Sequence, residues 1–201
     1  MPCCSWVCAT WPRASAWALE RTARTGQSVP PPDPGPLTLL LICTASSGKN
    51  RALADRLHEL AAEAGQASKV IDLSEDALQL YTPAAHAAGM PAGLEPLSAL
   101  FREATSFAFV APEYNGSIPP TLSNAIAWLS VGTEDFRELF NGKGAAIATH
   151  SGGGGQKVLV AMRLQLSHLG VNVLGRELLT SSQRELNEDS ARAVLGMLAK
   201  G

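Results

Sequence analysis

The sequence predicts an α/β fold: a five-stranded parallel sheet of strand order 2-1-3-4-5, with helices on both faces. Three observations support this prediction. Beyond residue 36, short apolar runs alternate with amphipathic stretches of helical periodicity, which is typical of repeated strand-helix units. The run at residues 107–111 is apolar at every position, as expected of a strand buried on both faces. Polar or glycine-rich loops follow the first, third and fourth apolar runs, where open parallel sheets bind ligands.

The elements follow one another regularly along the chain. Strands are predicted at residues 37–44, 69–73, 107–111, 144–149 and 171–174. Helices are predicted at residues 50–64, 95–103, from Pro120 onward, 157–169 and 187–200. Apolar residues recur every three or four positions in the helical segments and give each one a buried face. Pro120 suits a first helical turn, and Asn187 is a favourable cap followed by two acidic residues.

Composition restricts the class of protein. The chain has 201 residues, of which 46% are hydrophobic and 17% charged, with a net charge of −2. This balance argues against a nucleic-acid partner. No apolar run approaches the ~20 residues that a membrane-spanning helix needs. We therefore expect a soluble, cytoplasmic protein with no membrane partner.

The cysteines are unevenly placed. Cys3, Cys4 and Cys8 lie at the start of the chain, and Cys43 lies in a predicted strand. The first three lack a downstream set of ligands for a metal site, and a chain this long does not resemble a disulfide framework. Reduced thiols are the expected state, no metal site is predicted, and Cys43 is expected to be a small core residue.

The chain divides into two regions. Residues 1–36 are predicted to be a disordered or mis-annotated extension that ends in a proline-rich linker, and residues 37–201 form the folded domain. Two further interpretations of the extension stay open. It is Arg-rich and poor in acidic residues, like an organelle transit peptide, or it is translated sequence upstream of a true start near Val29 or the proline run that follows.

The most informative stretch is the loop after the third strand. It reads Pro-Glu-Tyr-Asn-Gly-Ser-Ile-Pro-Pro at residues 112–120, and a helix containing Leu-x-Asn-Ala-Ile-x-Trp follows. This motif resembles that of the NAD(P)H-dependent FMN reductase family, whose members have a flavodoxin-like fold. The resemblance extends from residue 37 to the end of the chain. One departure is Ala127, where the family commonly has Asp before the tryptophan.

The resemblance implies a function. Nicotinamide from NAD(P)H would deliver a hydride to bound FMN, and the electrons would pass on to a small-molecule acceptor such as free flavin, a quinone or an azo compound. The flavin carries this chemistry, so no catalytic side chain is predicted. The resemblance also implies a homodimer or homotetramer. A non-enzymatic FMN-binding electron carrier and a slow redox sensor of the same fold remain alternatives.

The loop after the first strand is a candidate phosphate site. Its serines and the start of the next helix offer hydroxyl and backbone donors to an anion. It is not a Walker loop, because Cys43 stands where the first glycine belongs and Asn50 where Ser or Thr belongs. The arginine common in the family is absent, and we expect Lys49 to supply a positive charge with weaker retention of the flavin.

The loop after the fourth strand holds four consecutive glycines at residues 152–155. Without side chains the backbone can approach a flat ring closely, and successive N–H groups can surround an anion. It does not fit a dinucleotide fingerprint, because Lys157 occupies the position of the third glycine. The predicted FMN-binding residues in the three loops are Ser46, Ser47, Lys49, Asn50, Pro112, Glu113, Tyr114, Asn115, Gly116, Ser151, Gly152 and Gly153. Trp128 and His150 are expected to be structural.

Overall fold

The structure is a computed structural model that describes residues 38–75 and 78–200. The elements in these ranges are β1 (Leu39–Thr44), α1 (Lys49–Glu63), β2 (Ala67–Asp72), α2 (Pro83–Ala88), α3 (Leu94–Glu103), β3 (Ser106–Val110), α4 (Pro120–Val131), β4 (Gly144–His150), α5 (Gln156–His168), β5 (Asn172–Val173), β6 (Leu178–Thr180) and α6 (Glu188–Leu198). The predictions for residues 1–36, including the cysteine-rich start, lie outside the described residues.

All the strand pairs are parallel, and the order is β2-β1-β3-β4-β5, which confirms the predicted topology. A sixth strand, β6, was not predicted. It pairs with the end of β4, whereas β5 pairs with only the first two residues of β4. Two short strands therefore share the last position of the sheet.

A side chain from α5 stabilises the break between these two strands. The Arg163 guanidinium donates to the carbonyls of Val173 and Leu174 at 3.1 and 2.8 Å. It also forms a 2.8 Å ion pair with Glu177. These bonds satisfy carbonyl groups that a continuous strand would have paired in the sheet.

The helices cover both faces of the sheet, as predicted. Alternate residues of a strand point to opposite faces, so Leu41 and Phe107 pack under α3, α4 and α5, while Leu40 and Ala108 pack under α1 and α6. The first of these layers contains Phe101, Phe107, Phe109 and Phe140, whose ring centroids lie 5.2–6.5 Å apart in the contacting pairs.

The short helix α2 is held by α4 rather than by its own burial. Residues 83–88 contain no buried side chain. The preceding segment is fixed because Asn124 accepts from the Tyr81 N–H at 2.7 Å and donates to the Leu78 carbonyl at 2.9 Å. Trp128 is fully buried and donates to the Gln79 carbonyl at 2.7 Å. Its expected structural role is confirmed.

One further expectation is met in the described part of the chain. Cys43 is buried in β1, and burial raises the pKa of its thiol far above the ordinary value. Across residues 38–75 and 78–200, no helix has the length and hydropathy required to cross a membrane.

The phenylalanine cluster yields a stability prediction. Phe101 is 1% exposed, so Phe101→Ala should lower the free energy of unfolding by about 3–5 kcal/mol through lost burial and a residual cavity. Phe136 is 43% exposed, and Phe136→Ala should cost under about 1 kcal/mol. Urea unfolding of both variants measures the difference, and equal losses would contradict this account of the core.

Candidate functional site

Three loops leave the carboxyl end of the sheet close together, because the central strands are in parallel register and β4 extends only two residues further than β1 and β3. Thr44 at the end of β1 pairs with Val110, and Val110 pairs with Ala148 near the end of β4. The loops at residues 45–48, 111–119 and 151–155 therefore leave the same edge. The chain runs from β1 outward to β2 and then returns to β3, so the switch point of this sheet lies between β1 and β3.

The first loop leads into a helix whose N-terminus has no internal cap. The N-cap residue is Gly48, no side chain accepts a hydrogen bond from the first turn of α1, and that turn contains no acidic residue. Its first N–H groups have no partner within the helix, and the dipole makes this end positive. Ser47 and Lys49 are exposed, and Ser46 is partly exposed. This arrangement suits an anionic group.

Arg51 does not replace the arginine that the family commonly carries here. Its guanidinium binds Asp55 at 2.9 Å and lies 3.8 Å from Asp72 and 3.9 Å from Glu75. The hydrogen bond to Asp55 is the main cause that raises the pKa of Arg51. Because these carboxylates engage Arg51, Lys49 is the cation that the first loop itself offers to a phosphate.

The tip of the second loop is a tight two-residue turn. Tyr114 and Ser117 exchange two backbone hydrogen bonds of 3.0 Å, with Asn115 and Gly116 between them at φ angles of 52° and 74°. Positive φ at both positions is the reason for an Asn-Gly pair. The Asn-Gly pair is a turn signal that can be read from the sequence alone. The turn presents Tyr114, a residue that is 49% exposed.

Two charged side chains flank this turn. The Glu113 atom Oε2 is buried and has no hydrogen-bond partner in the protein. An unpaired buried carboxylate oxygen is costly, which favours a donor from a bound ligand. Lys157, from the first turn of α5, passes beside Gly116, where an added Cβ would lie 3.2 Å from its Cδ. Lys157 was not among the predicted site residues, and its contact with the second loop depends on the fold.

The third loop requires glycine at its end. Gly154 and Gly155 have φ angles of 103° and 76°, and a Cβ on Gly155 would lie 2.7 Å from Thr149 Cγ2. Gly152 and Gly153 face open space, with nothing within 4 Å of an added Cβ. The backbone at residues 152–153 can therefore be approached closely by a ligand. The N-terminus of α5 beyond it also has neither a side-chain cap nor an acidic first turn.

Side-chain bonds tie the loops together. Thr121 at the start of α4 donates to the Ala45 carbonyl at 2.8 Å and so joins the second loop to the first. Asn50 joins the first loop to the third, because its amide exchanges two bonds with the backbone of His150. The structure thus gathers the predicted residues into three adjoining loops. Their individual contacts with FMN remain a prediction, and the Asn50 side chain is already engaged by the protein.

The arrangement fits FMN on structural grounds. Two helix N-termini without caps offer N–H groups to an anion, and the open glycine backbone lies at the same sheet edge. In contrast, α6 is capped by Asn187 and carries Glu188 and Asp189 in its first turn. The buried Glu113 oxygen Oε2, in the second loop, also lacks a protein partner. A phosphate and a flat ring with polar edges match these features.

These features define a flavodoxin-like protein of the FMN-binding class, and comparisons with known proteins agree. An NAD(P)H-dependent FMN reductase of Pseudomonas aeruginosa is 33% identical over 141 residues, which covers 65% of this chain and 74% of that protein. A quinone reductase of Escherichia coli is 50% identical over 42 residues, 21% of this chain and 22% of that protein. A Paracoccus denitrificans flavoenzyme, an NAD(P)H:acceptor oxidoreductase, has the same fold with a TM-score of 0.62 and 20% identity, over 81% of this chain and 94% of the other.

The family follows from a match along most of the folded region. The model of the NADPH-dependent FMN reductase family matches residues 37–185. The chain belongs to this family, and the resemblance found in the sequence is confirmed.

Two glycines of the third loop provide a matched test of its geometry. Gly155→Ala should lower the free energy of unfolding by about 2–4 kcal/mol, because φ is positive and the new Cβ would clash with Thr149. Gly152→Ala should stay within about 1 kcal/mol of the wild type, since its Cβ meets nothing. Thermal or urea unfolding checks both. A Gly155→Ala protein as stable as Gly152→Ala would show that the loop has another conformation.

Proposed function

We propose that the protein is an NAD(P)H-dependent FMN reductase that uses a small-molecule electron acceptor. The observation that carries this proposal is the position of the family motif. Its Pro-Glu-Tyr-Asn-Gly loop lies at the carboxyl end of β3, beside the switch point and the uncapped N-terminus of α1. Parallel sheets bind nucleotide ligands at this position.

The first loop would hold the phosphate of FMN. The Ser47 hydroxyl and the first N–H groups of α1 would be donors, and Lys49 would supply charge. The Ser46 hydroxyl donates to the Ser47 carbonyl at 3.0 Å and would have to turn from it to bind the phosphate. Micromolar binding requires about 8 kcal/mol, and a hydrogen bond to a charged group contributes about 1.5–3 kcal/mol. Several such donors therefore support binding without the missing arginine.

The second and third loops would hold the flavin ring. The backbone at residues 112–116 and the face of Tyr114 would contact one part of the ring system, and the backbone of Gly152 and Gly153 would allow close approach from the third loop. Lys157 and the N-terminus of α5 add positive potential beside the second loop. Positive potential favours the electron-rich, reduced form of a bound flavin.

The protein residues would bind the flavin, orient its ring and tune its electronic properties. When bound, FMN supplies the redox chemistry, taking a hydride from NAD(P)H and passing two electrons on to the acceptor. The side of the ring not covered by the loops would have to admit nicotinamide and then the acceptor. No residue of the chain is assigned a proton-transfer role.

Turnover separates this function from an electron carrier or a redox sensor. With catalytic amounts of FMN-loaded protein and excess quinone, we expect NADPH or NADH to be consumed in many equivalents per protein chain, measured as loss of absorbance by the nicotinamide. A carrier or sensor would stop near one equivalent. Heat-denatured protein with the same FMN is the control for free flavin, and consumption no faster than in this control would refute the proposed function.

We also propose that the protein is a homodimer or homotetramer. Two apolar residues lie one turn apart on the outer face of α5, Val160 at 65% exposure and Leu164 at 75%. Exposed apolar side chains on one helix face favour a subunit contact. A cytoplasmic location is proposed because NAD(P)H is available there, and cell fractionation tests it.

The oligomer prediction has a matched control. Leu164→Glu places a charge in the proposed contact and should lower the mass measured by light scattering to that of a smaller assembly. Met197→Glu changes a 43% exposed residue on α6 and should leave the mass unchanged. A monomeric wild type would contradict the proposed assembly, and an unchanged mass for Leu164→Glu would exclude this face.

A further inference from the structure

Asn50 lies in the first loop region by sequence, but its side chain points to the third loop. It is the second residue of α1, immediately after Lys49, and only 4% of it is exposed. Its amide group donates to the His150 carbonyl at 3.0 Å and accepts from the His150 N–H at 2.9 Å. Both polar ends of the amide are therefore engaged across 100 residues of sequence.

His150 is the last residue of β4 and the fixed point from which the third loop departs. From the other side, Thr180 on β6 holds the same place. Its hydroxyl lies 3.0 Å from His150 Nδ1 and donates to the Thr149 carbonyl at 3.2 Å, and its carbonyl accepts from the Ser151 N–H at 3.1 Å. Asn50 and Thr180 thus clamp the start of the loop from opposite directions.

The residues after this clamp have few restraints of their own. Residues 152–155 are all glycine, and glycine loses more conformational freedom on ordering than any other residue. Within residues 151–155, the Gly153 N–H donates to the Ser151 hydroxyl at 3.3 Å. The side chain that makes this bond belongs to the residue directly after His150. The direction in which the loop leaves β4 is consequently set by the backbone of His150.

We propose that Asn50 is a positioning residue for the flavin ring, acting through His150 and the third loop, and that its side chain is not a ligand of the phosphate. This inference rests on the proposed FMN site. Within that site it assigns adjacent residues to opposite ends of the ligand, with Lys49 serving the phosphate and Asn50 serving the ring. Riboflavin, which has the ring and ribityl chain but no phosphate, separates the two roles.

The test compares FMN and riboflavin affinities, measured by quenching of flavin fluorescence, in the wild type and three variants. Asn50→Ala should weaken both flavins by the same factor, about tenfold, which corresponds to ~1.4 kcal/mol. Lys49→Met should weaken FMN and leave riboflavin unchanged. Lys200→Met removes the same charge beyond the end of α6, and should change neither affinity.

A second readout does not depend on affinity. At saturating FMN, the visible absorption spectrum of the bound flavin reports the surroundings of the ring. Asn50→Ala should shift this spectrum relative to the wild type, whereas Lys49→Met should leave it unchanged. A merely structural effect would lower the unfolding temperature without altering the spectrum of the fully loaded protein.

A second variant at the same position keeps the test possible if the Asn50→Ala protein does not fold. Asn50→Asp has the same shape and keeps the acceptor for the His150 N–H, but it places an oxygen against the His150 carbonyl. It should weaken riboflavin binding and shift the bound spectrum, as Asn50→Ala does. The inference is overturned if riboflavin affinity and the saturated spectrum are unchanged in the Asn50 variants. If the wild type binds neither flavin, the proposed function itself fails, and the inference falls with it.

Discussion

The parallel register of β1, β3 and β4 is the constraint on which the site depends. Because Thr44, Val110 and Ala148 stand in register across the sheet, three loops that are far apart in sequence begin side by side. Parallel pairing leaves the helices after these strands with their N-termini at the same edge. A one-residue slip of β4 would exchange its two faces and would also move His150 away from Asn50. Packing of the core and placement of the site are therefore set by one register.

The helices differ in whether a side chain caps their N-terminus. Asn187 caps α6 and Thr82 caps α2, whereas α1, α3, α4 and α5 have no side-chain cap. In α1 and α5 the N-cap residue is glycine and the first turn contains no acidic residue. A glycine at the N-cap costs only about a few tenths of a kcal/mol relative to Ser, Thr, Asp or Asn. A phosphate or a polar ring edge at the N–H groups of α1 and α5 would offset this cost.

Periodicity and motif spacing were sufficient to predict the sheet order, the major helices, the buried roles of Cys43 and Trp128, and the family. They failed where an element is short or depends on distant partners. The three residues of β6 follow an interruption at Gly175, and the broken edge is held by Arg163 from α5. The helix α2 buries nothing, so it has no apolar period to read, and its position is fixed through Asn124 of α4. The engagement of Asn50 with His150 was equally invisible, since nothing local marks a bond across 100 residues.

The glycine loop explains why so many buried polar bonds surround His150. A backbone that a ring can approach closely must lack side chains, and each glycine adds roughly 0.5–1 kcal/mol of ordering cost relative to alanine. Four glycines in succession would leave the loop poorly defined if its starting direction were free. The bonds from Asn50 and Thr180 fix that direction at residues outside the ligand surface, so the glycines keep their open faces. Close approach and a defined geometry, which conflict within the loop itself, are reconciled by restraints applied immediately before it.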